Sequence, residues 1–230
     1  GFSLRTTMDK FAFASNTTAS AHGSLTLSGQ MPSGTSSSTH GYKAGGYGLG
    51  PSSNQDTLTI EKFAFATSSA STSHGNLSVA RRYAGGCNSS TQGFSIGGAS
   101  PVVAIDKFDF SSNTTAASHG NLSGNRSQSP GISSMTTGYT AGGNTGNYSS
   151  VIDYFNFSSN TTAASHGDLS VARNECTGHS HTTKGYISGG KTGIGVYSSV
   201  IDYFDYSSNT TATDHGDLSV ARGLSAGTQY

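Results

Sequence analysis

The sequence predicts an all-β fold, a five-bladed β-propeller with four antiparallel strands in each blade. The main observation is a segment that recurs five times, with its first Phe at positions 11, 63, 108, 155 and 204 of the 230 residues. Units of four short strands with a period near 45 to 50 residues are typical of propeller blades. No window shows a sustained apolar period of 3.6 residues, and the abundance of Ser, Thr and Gly disfavours helix.

The composition argues against two classes of interaction, membrane insertion and nucleic-acid binding. Only 10% of the residues are charged and the formal net charge is zero. The sequence has neither the apolar run of about 18 residues that a spanning helix needs nor the clustered Lys and Arg that nucleic-acid binding needs. No signal-peptide pattern is visible. The chain opens at Gly1 rather than Met, which is compatible with processing or with a piece of a longer protein.

Two outer strands are predicted in every repeat; we name the four strands of a blade a (innermost) to d (outermost). Strand c is the recurring segment, such as Ile105 to Phe110, in which apolar and polar residues roughly alternate as in a half-buried strand. Strand d contains a His-Gly pair that follows each strand-c Phe at a constant distance. Four of the five repeats then carry Arg at one offset, where the first repeat has Gly29.

Two inner strands complete the predicted blade. Strand b is the motif Gly-aromatic-x-x-Gly-Gly, as in Gly93 to Gly98, whose paired glycines allow a sharp turn. Strand a is a small, polar segment, as in Asn88 to Gln92 or Thr177 to Thr183, which suits crowding near a central axis. The cysteines Cys87 and Cys176 lie at different offsets, which favours unrelated thiols over a disulfide framework.

The blade count depends on the chain ends, because complete internal a–b pairs occur only four times. Residues 224–230 would supply strand a of the first blade and residues 1–3 its strand b, a closure that hides edge strands. The predicted blades are 1–29 plus 223–230, 30–81, 82–126, 127–173 and 174–222. The alternative is an open or incomplete array, or a slice of a longer one.

These repeats resemble known families. The order Leu-Ser-Val-Ala-Arg, Gly-Tyr-x-x-Gly-Gly and an aromatic strand ending in Ser-Ser-Asn-Thr-Thr resembles a degenerate kelch repeat without its Trp. Runs such as Ser199 to Ala212 are more similar to repeat proteins of tailed phages of marine bacteria and cyanobacteria, over the second to fifth repeats and part of the first. That resemblance implies a virion structural or fibre-associated component, in the virion or extracellular, with other virion or surface-assembly proteins as partners.

The repeated polar residues are predicted to be structural. Equivalent positions in different blades lie far apart, so one His per blade is too few for Zn²⁺, and one carboxylate per blade does not make a catalytic pair. The arginines are expected to satisfy carbonyls of neighbouring blades. Sharper alternatives are an anion-binding ring of arginines and a weak metal site at His179 and His181. The repeated residues are His22, His74, His119, His166 and His215; Arg81, Arg126, Arg173 and Arg222; and Asp9, Glu61, Asp106, Asp153 and Asp202.

Local function is predicted in the b–c connections, where the repeats differ most. Aromatic and amide side chains there could bind sugars, and the candidates are Tyr47, Asn54, Gln55, Asp56, Tyr148 and Tyr197. Together with the resemblance to tailed-phage repeat proteins, these observations predict a non-enzymatic virion-associated module, structural or host-surface-binding, without cofactor, metal, nucleic acid or membrane insertion. The alternative is a propeller lectin for host glycans, whose weak equivalent sites add avidity.

Overall fold

The structure is a computed structural model that describes residues 5–48, 55–99 and 102–227. Within these ranges the chain forms 23 β-strands and no helix, so the prediction of an all-β fold is confirmed. Four of the sheets contain four antiparallel strands each, and the architecture is β-propeller-like. The predicted positions of residues 1–4 and 228–230 lie outside the described ranges.

The strands follow the repeats along the chain. The first two repeats contain β1 (Thr7–Lys10), β2 (Ser20–Ser24), β3 (Gly29–Gln30), β4 (Ser33–Ser36), β5 (His40–Ala44), β6 (Tyr47–Gly48), β7 (Gln55–Asp56), β8 (Thr59–Ala64) and β9 (Thr72–Asn76). The third and fourth contain β10 (Gly85–Asn88), β11 (Gln92–Ile96), β12 (Ala104–Asp109), β13 (Ala117–Asn121), β14 (Gly131–Ser133), β15 (Thr137–Ala141), β16 (Val151–Asn156) and β17 (Ala164–Asp168). The fifth contains β18 (Thr177–Ser180), β19 (Lys184–Ser188), β20 (Lys191–Gly193), β21 (Val196–Tyr197), β22 (Val200–Asp205) and β23 (Thr213–Asp217).

Each four-stranded sheet runs a-b-c-d in chain order. The sheets are β4-β5-β8-β9, β10-β11-β12-β13, β14-β15-β16-β17 and β18-β19-β22-β23. In the first repeat, β1 and β2 correspond to strands c and d. Among the described residues they form a two-stranded sheet. Two of the b–c connections contain short strands of their own. Strands β6 and β7 pair with each other, and β6 also pairs with β3, whereas β20 pairs with β21.

Glycine lets the innermost strands approach one another. Strands β4, β10, β14 and β18 contact each other in series. A Cβ on Gly86 would collide with the backbone of Gly34, and a Cβ on Gly131 would collide with that of Gly86. In the third repeat the predicted span of strand a, Asn88 to Gln92, is wrong. The strand is Gly85–Asn88, because the glycines rather than the polar run permit the close approach.

The glycine that opens strand b lies under an aromatic ring of strand c. Gly93 on β11 faces Phe108 on β12 in the antiparallel register. A Cβ at Gly93 would overlap the Phe108 ring and lie 2.9 Å from Thr35 Oγ1. The same relationship recurs in the other complete repeats for Gly41 with Phe63, Gly138 with Phe155, and Gly185 with Phe204.

The His-Gly pair forms a β-bulge in strand d. Ile105 faces Gly120 and Asp106 faces Ser118, so His119 is the extra residue on its strand. The shift recurs at the same place in all five c–d pairs. Gly120 has φ +122°, a conformation that other residues rarely adopt. A bulge re-aims a side chain, and here it turns the histidine towards the next repeat.

The hydrophobic core lies between successive sheets. The Phe94 ring on β11 stacks on that of Phe157 with centroids 4.8 Å apart and packs against Phe155. Tyr42 and Tyr139 make the same pair of contacts with the strand-c aromatics of the repeats that follow them. Each repeat therefore buries its apolar face against a neighbour, as in other repeat assemblies.

A series of backbone hydrogen bonds runs around the inner end of the repeats. The amide of Tyr83 donates to the Met31 carbonyl, and Gln128, Glu175 and Leu224 each donate to the preceding member, all at 2.9 Å. All five residues have φ between 55° and 59° although none is glycine. The segment after Arg222 therefore continues the series of inner segments beside β18.

Candidate functional site

A buried carboxylate organises the boundary between the second and third repeats. Asp106 on β12 is fully buried, and its Oδ2 lies 2.9 Å from Arg81 Nη2 of the preceding repeat. The amide and hydroxyl of Ser78 donate to the same carboxylate at 2.7 Å each. Arg81 also donates to the Ala104 carbonyl at 2.9 Å. Burial lowers the pKa of Arg81, and Asp106 acts against that shift.

The same arrangement recurs at the next two boundaries. Arg126 Nη2 lies 3.2 Å from Asp153 Oδ2, and Arg173 Nη2 lies 3.1 Å from Asp202 Oδ2. Ser123 and Ser170 donate to these carboxylates in the way that Ser78 does. These three arginines are therefore dispersed at the boundaries, each beside a carboxylate, and do not gather into a ring that would hold an anion.

The boundary between the first and second repeats uses different residues. Glu61 replaces the aspartate, and Lys43 Nζ lies 3.0 Å from its Oε2. Thr26 and Ser71 also donate to this carboxylate. Burial acts to raise the pKa of Glu61, but the hydrogen bonds from Thr26, Lys43 and Ser71 outweigh it, so the pKa is lowered.

Four of the five repeated histidines reach the next repeat. Nε2 of each donates to a carbonyl at the end of the next strand c, at distances of 2.8 to 2.9 Å; the pairs are His22 with Ala64, His74 with Asp109, His119 with Asn156 and His166 with Asp205. Burial lowers the pKa of His119, and its bond to the Asn156 carbonyl opposes this shift only in part. His215 is exposed and makes no hydrogen bond among the described residues.

The predicted loop residues of the second repeat are tied to one another. The guanidinium of Arg82 lies over the Tyr47 ring, 4.7 Å from its centroid, and its Nη1 lies 2.7 Å from Asp56 Oδ1. Gln55 pairs with Gly48 in the β6–β7 ladder. Asn54 lies outside the described residues. These contacts hold the Tyr47 ring and the Asp56 carboxylate beside the Arg82 guanidinium.

The two remaining loop candidates lie in separate repeats. Tyr148 is half-buried and forms an isolated β-bridge with Asn144. Tyr197 is 46% exposed, and its ring lies against Gly223. The structure brings Tyr148, but not Tyr197, into a cavity with other polar side chains.

That cavity, which we call the loop cleft, lies between the fourth and fifth repeats and has a volume of about 320 Å³. It is lined by Gln128, Asn144, Gly146, Asn147, Tyr148, Asn174, Glu175 and Lys191. Backbone hydrogen bonds of 3.0 and 2.7 Å between Asn174 and Lys191 fix its floor. It is therefore built by residues that follow the repeated Arg together with parts of two b–c connections.

The polar groups of the loop cleft are only partly paired. Asn174 Nδ2 donates to Gln128 Oε1 at 2.8 Å, and Gln128 Nε2 donates to Glu175 Oε1 at 3.4 Å. Asn174 is 4% exposed, and its Oδ1 is buried without a partner. A buried, unpaired amide oxygen is costly unless a donor reaches it. Asn174 Oδ1 is thus an unsatisfied buried polar atom on a residue that lines the cleft.

The charges of the loop cleft are mixed. Glu175 and Lys191 both line it, and neither forms an ion pair among the described residues. One carboxylate, one ammonium and several amides around a tyrosine are the kind of convergent polar groups that fix a small ligand. They suit hydrogen bonding to an uncharged polar molecule better than capture of a phosphate.

A second, wider cavity lies at the inner end of the repeats, with a volume of about 490 Å³. Its walls are five equivalent segments, 31–34, 83–86, 128–131, 175–178 and 224–227. Most of this lining is backbone and small side chains, and Glu175 is its only acidic or basic residue among the described part of the chain. This cavity, which we call the axial cavity, therefore presents mainly backbone groups and small side chains to its interior.

The predicted pair His179 and His181 does not share one face of a strand. His179 lies on β18, with Nε2 3.2 Å from Ser188 Oγ, while His181 lies in the exposed turn after that strand. In the three described ranges no three His, Cys, Asp or Glu side chains gather closely enough to hold a metal ion. Nor do those ranges contain a helix that is long and apolar enough to cross a membrane.

Sequence reasoning missed the residues that follow the repeated Arg. Gln128, Asn174 and Glu175 line the loop cleft, although only the b–c connections were predicted to carry function. A signal was present, because the two positions after each Arg differ in every repeat while the Arg itself recurs. It also missed the pairing of the repeated Arg with the strand-c carboxylate of the next repeat.

Comparison with known proteins supports the fold. No family model matches the sequence. No curated protein matches it either. Among the solved structures that resemble it, that of YjhT superposes with a TM-score of 0.67 at 12% sequence identity, over 85% of this chain and 67% of that one. At such low identity the likeness concerns the β-propeller-like architecture alone.

Proposed function

We propose that this protein is a non-enzymatic, virion-associated propeller, acting as a structural or host-surface-binding module. The observation that supports the non-enzymatic part of the proposal is the structural role of the repeated ionisable side chains. In the three boundaries that follow the first, Arg, Asp and His are buried in contacts between repeats. Chemistry at those side chains would require the boundaries to open.

The virion assignment rests on the resemblance of the repeats to tailed-phage repeat proteins and on the uncharged Ser-, Thr- and Gly-rich composition. It is tested by purifying particles of the source phage on a density gradient and identifying their proteins by mass spectrometry. The proposal requires the chain to sediment with infectious particles. Its presence only in host cells, or its loss from particles after gradient purification, would contradict the proposal.

We further propose that the repeats complete five blades, with residues 224–227 supplying the inner strand of the first blade. Two observations support this closure. Leu224 continues the series of hydrogen bonds begun by Met31, and a Cβ on Gly227 would meet the Gly178 backbone just as one on Gly131 would meet Gly86. Small-angle scattering would distinguish a closed ring from an open array.

The second candidate function, binding of host glycans, is favoured by the loop cleft. Sugars present hydroxyl donors, and Asn174 Oδ1 is a buried acceptor without a partner. Tyr148 adds an aromatic surface and Lys191 a donor at the same cleft. Saturation-transfer NMR with a panel of neutral and acetamido sugars tests this function. The expected result is a signal that weakens in Asn174→Ala and persists in Asn209→Ala, which changes an exposed amide elsewhere. Equal signals from both variants would exclude the cleft.

A further inference from the structure

The outer flank of the fifth repeat carries a set of boundary residues that no described residue covers. His215 and Arg222 occupy the offsets of His74 and Arg81, yet both are exposed where His74 and Arg81 are fully buried. A Cβ at Gly216 would meet nothing within 4 Å. We call the exposed surface around His215, Ser219 and Arg222 the open flank.

The side chains of the open flank already have the conformation of the equivalent side chains at the buried boundaries. Arg222 Nε donates to the Val220 carbonyl at 3.2 Å, as Arg81 Nε donates to the Val79 carbonyl at 3.3 Å. The His215 ring packs against Tyr186 and Tyr203, as the His166 ring packs against the matching tyrosines of its own repeat. Because the side chains are preset without a neighbour, little ordering is required when one docks.

The first repeat presents the complementary surface. Asp9 on β1 holds the position that Asp106 holds on β12, but it is exposed and forms no ion pair with the described residues. Phe11 and Phe13 are 62% and 90% exposed, whereas the equivalent strand-c aromatics Phe155 and Phe157 are buried against the preceding repeat. Exposure of two aromatic rings beside an unpaired carboxylate marks an interaction surface.

We propose that the first repeat of this same chain docks on the open flank. The contacts copy those of the other boundaries: Asp9 accepts hydrogen bonds from Arg222 and Ser219, and His215 Nε2 donates to the Ala12 carbonyl. The Tyr186 ring stacks on that of Phe13, as Tyr139 stacks on Tyr206. The inference rests on the five-blade completion proposed above and is independent of the ligand and of the virion.

The axial cavity favours the same chain over a second copy as the occupant. Residues 31–34 and 224–227 line that one cavity, so both ends of the array of repeats reach it. A partner on the same chain is present at an effective concentration of about millimolar or more. A second copy at micromolar concentration would compete poorly for the open flank.

Charge reversal tests the contact between Asp9 and Arg222. We expect Asp9→Arg and Arg222→Asp each to lower the midpoint of thermal unfolding by roughly 5 to 10 °C, and the double variant to recover at least half of the loss. Light scattering on a sizing column should give a monomer mass for the wild type and all three variants. Additive losses in the double variant would overturn the contact. A wild-type dimer that the single variants dissociate would assign the open flank to a second copy.

Hydrogen exchange provides a second readout, at the level of a single amide of the proposed boundary. The amides of Ala116, Ala163 and Ala212 each donate at 2.7 Å to a carbonyl of the preceding strand d. Ala19 holds the equivalent position, and the Asp217 carbonyl would be its acceptor. We expect the Ala19 amide to exchange slowly in the full chain and at least tenfold faster in Arg222→Asp. Fast exchange of Ala19 in a folded wild-type chain would overturn the proposal.

Discussion

Lys43 Nζ lies 3.0 Å from Glu61 Oε2, and this ion pair holds the place that an Arg–Asp pair holds at the next three boundaries. Three coordinated changes produce it. Gly29 stands where the other repeats have Arg, Lys43 stands on β5 where the others have Ser, Thr or Ile, and Glu61 is one methylene longer than Asp. The cation is therefore supplied by the strand beside the carboxylate instead of by the preceding repeat.

Removal of Lys43 should destabilise the protein strongly. Lys43→Met leaves the fully buried Glu61 carboxylate without its cation, and loss of one partner from a buried pair costs about 3–5 kcal/mol. The free energy of unfolding from urea titration measures the loss. Lys62→Met is the matched control, because Lys62 bonds only to an exposed Asn113 and should change stability by less than about 1 kcal/mol. Equal losses in the two variants would refute this account.

A methyl group at Gly93 should destabilise the third repeat. Gly93→Ala places a Cβ inside the contact distance of the Phe108 ring, and overpacking of this kind costs roughly 1–3 kcal/mol. Gly124→Ala, where a Cβ meets nothing within 4 Å, should stay within about 0.5 kcal/mol of the wild type. Thermal unfolding compares the two. If the Phe108 ring is the cause, Gly93→Ala should cost less in a Phe108→Leu background.

Stability should fall as the pH falls from neutrality, in part through His119. Its pKa in the folded protein is lowered by burial, whereas an unfolded histidine titrates near about 6.5. The unfolded chain therefore binds the proton first. The stabilisation is complete above the unfolded pKa and declines as the pH approaches the folded pKa.

Urea titrations between pH 7.5 and pH 5 measure this slope. His119→Gln keeps an amide donor for the Asn156 carbonyl and removes the titration, so the slope should become shallower. His181→Gln, in an exposed turn, should leave the slope unchanged. A wild-type slope in His119→Gln would show that other groups account for the acid sensitivity.

The two thiols should be unreactive in the folded protein. Both cysteines are free and buried, and burial raises the pKa of Cys176 to about 11 and that of Cys87 well above its ordinary range. Thiolate is the reactive species, so a chromogenic disulfide reagent at pH 8 should label neither within minutes. Both should react in denaturant. Met135→Cys, at a position 90% exposed, provides a thiol that reacts at once. Rapid labelling of the native wild type would contradict the buried placement.

The strand-c segments could be predicted because their pattern is carried by large side chains. In β12 the large apolar residues Ile105 and Phe108, with polar residues between them, recur in every repeat at equivalent positions and identify a strand from the sequence alone. Strand a offered no such pattern, because close contact between inner strands selects Gly and Ser for their size. That selection explains why its span in the third repeat was misplaced.

The candidate site was harder to predict than the fold. The loop cleft joins Gln128, Tyr148 and Asn174 from two repeats, and a sequence does not show which connections meet in space. The repeated Arg and Asp were visible one by one. Their pairing spans 25 residues or more and crosses a boundary, as for Arg81 and Asp106. It depends on the offset between sheets, which the sequence spacing does not contain.

The unusual pair at the first boundary bears on how the repeats find their order. Three boundaries use equivalent Arg–Asp contacts, so these ion pairs do not distinguish one neighbouring sheet from another. Glu61 cannot be matched in the same way, since its cation comes from Lys43 in its own sheet. A sheet that brought an additional Arg would crowd two cations onto one carboxylate. The charged contacts of this boundary therefore distinguish the first repeat from the other repeats.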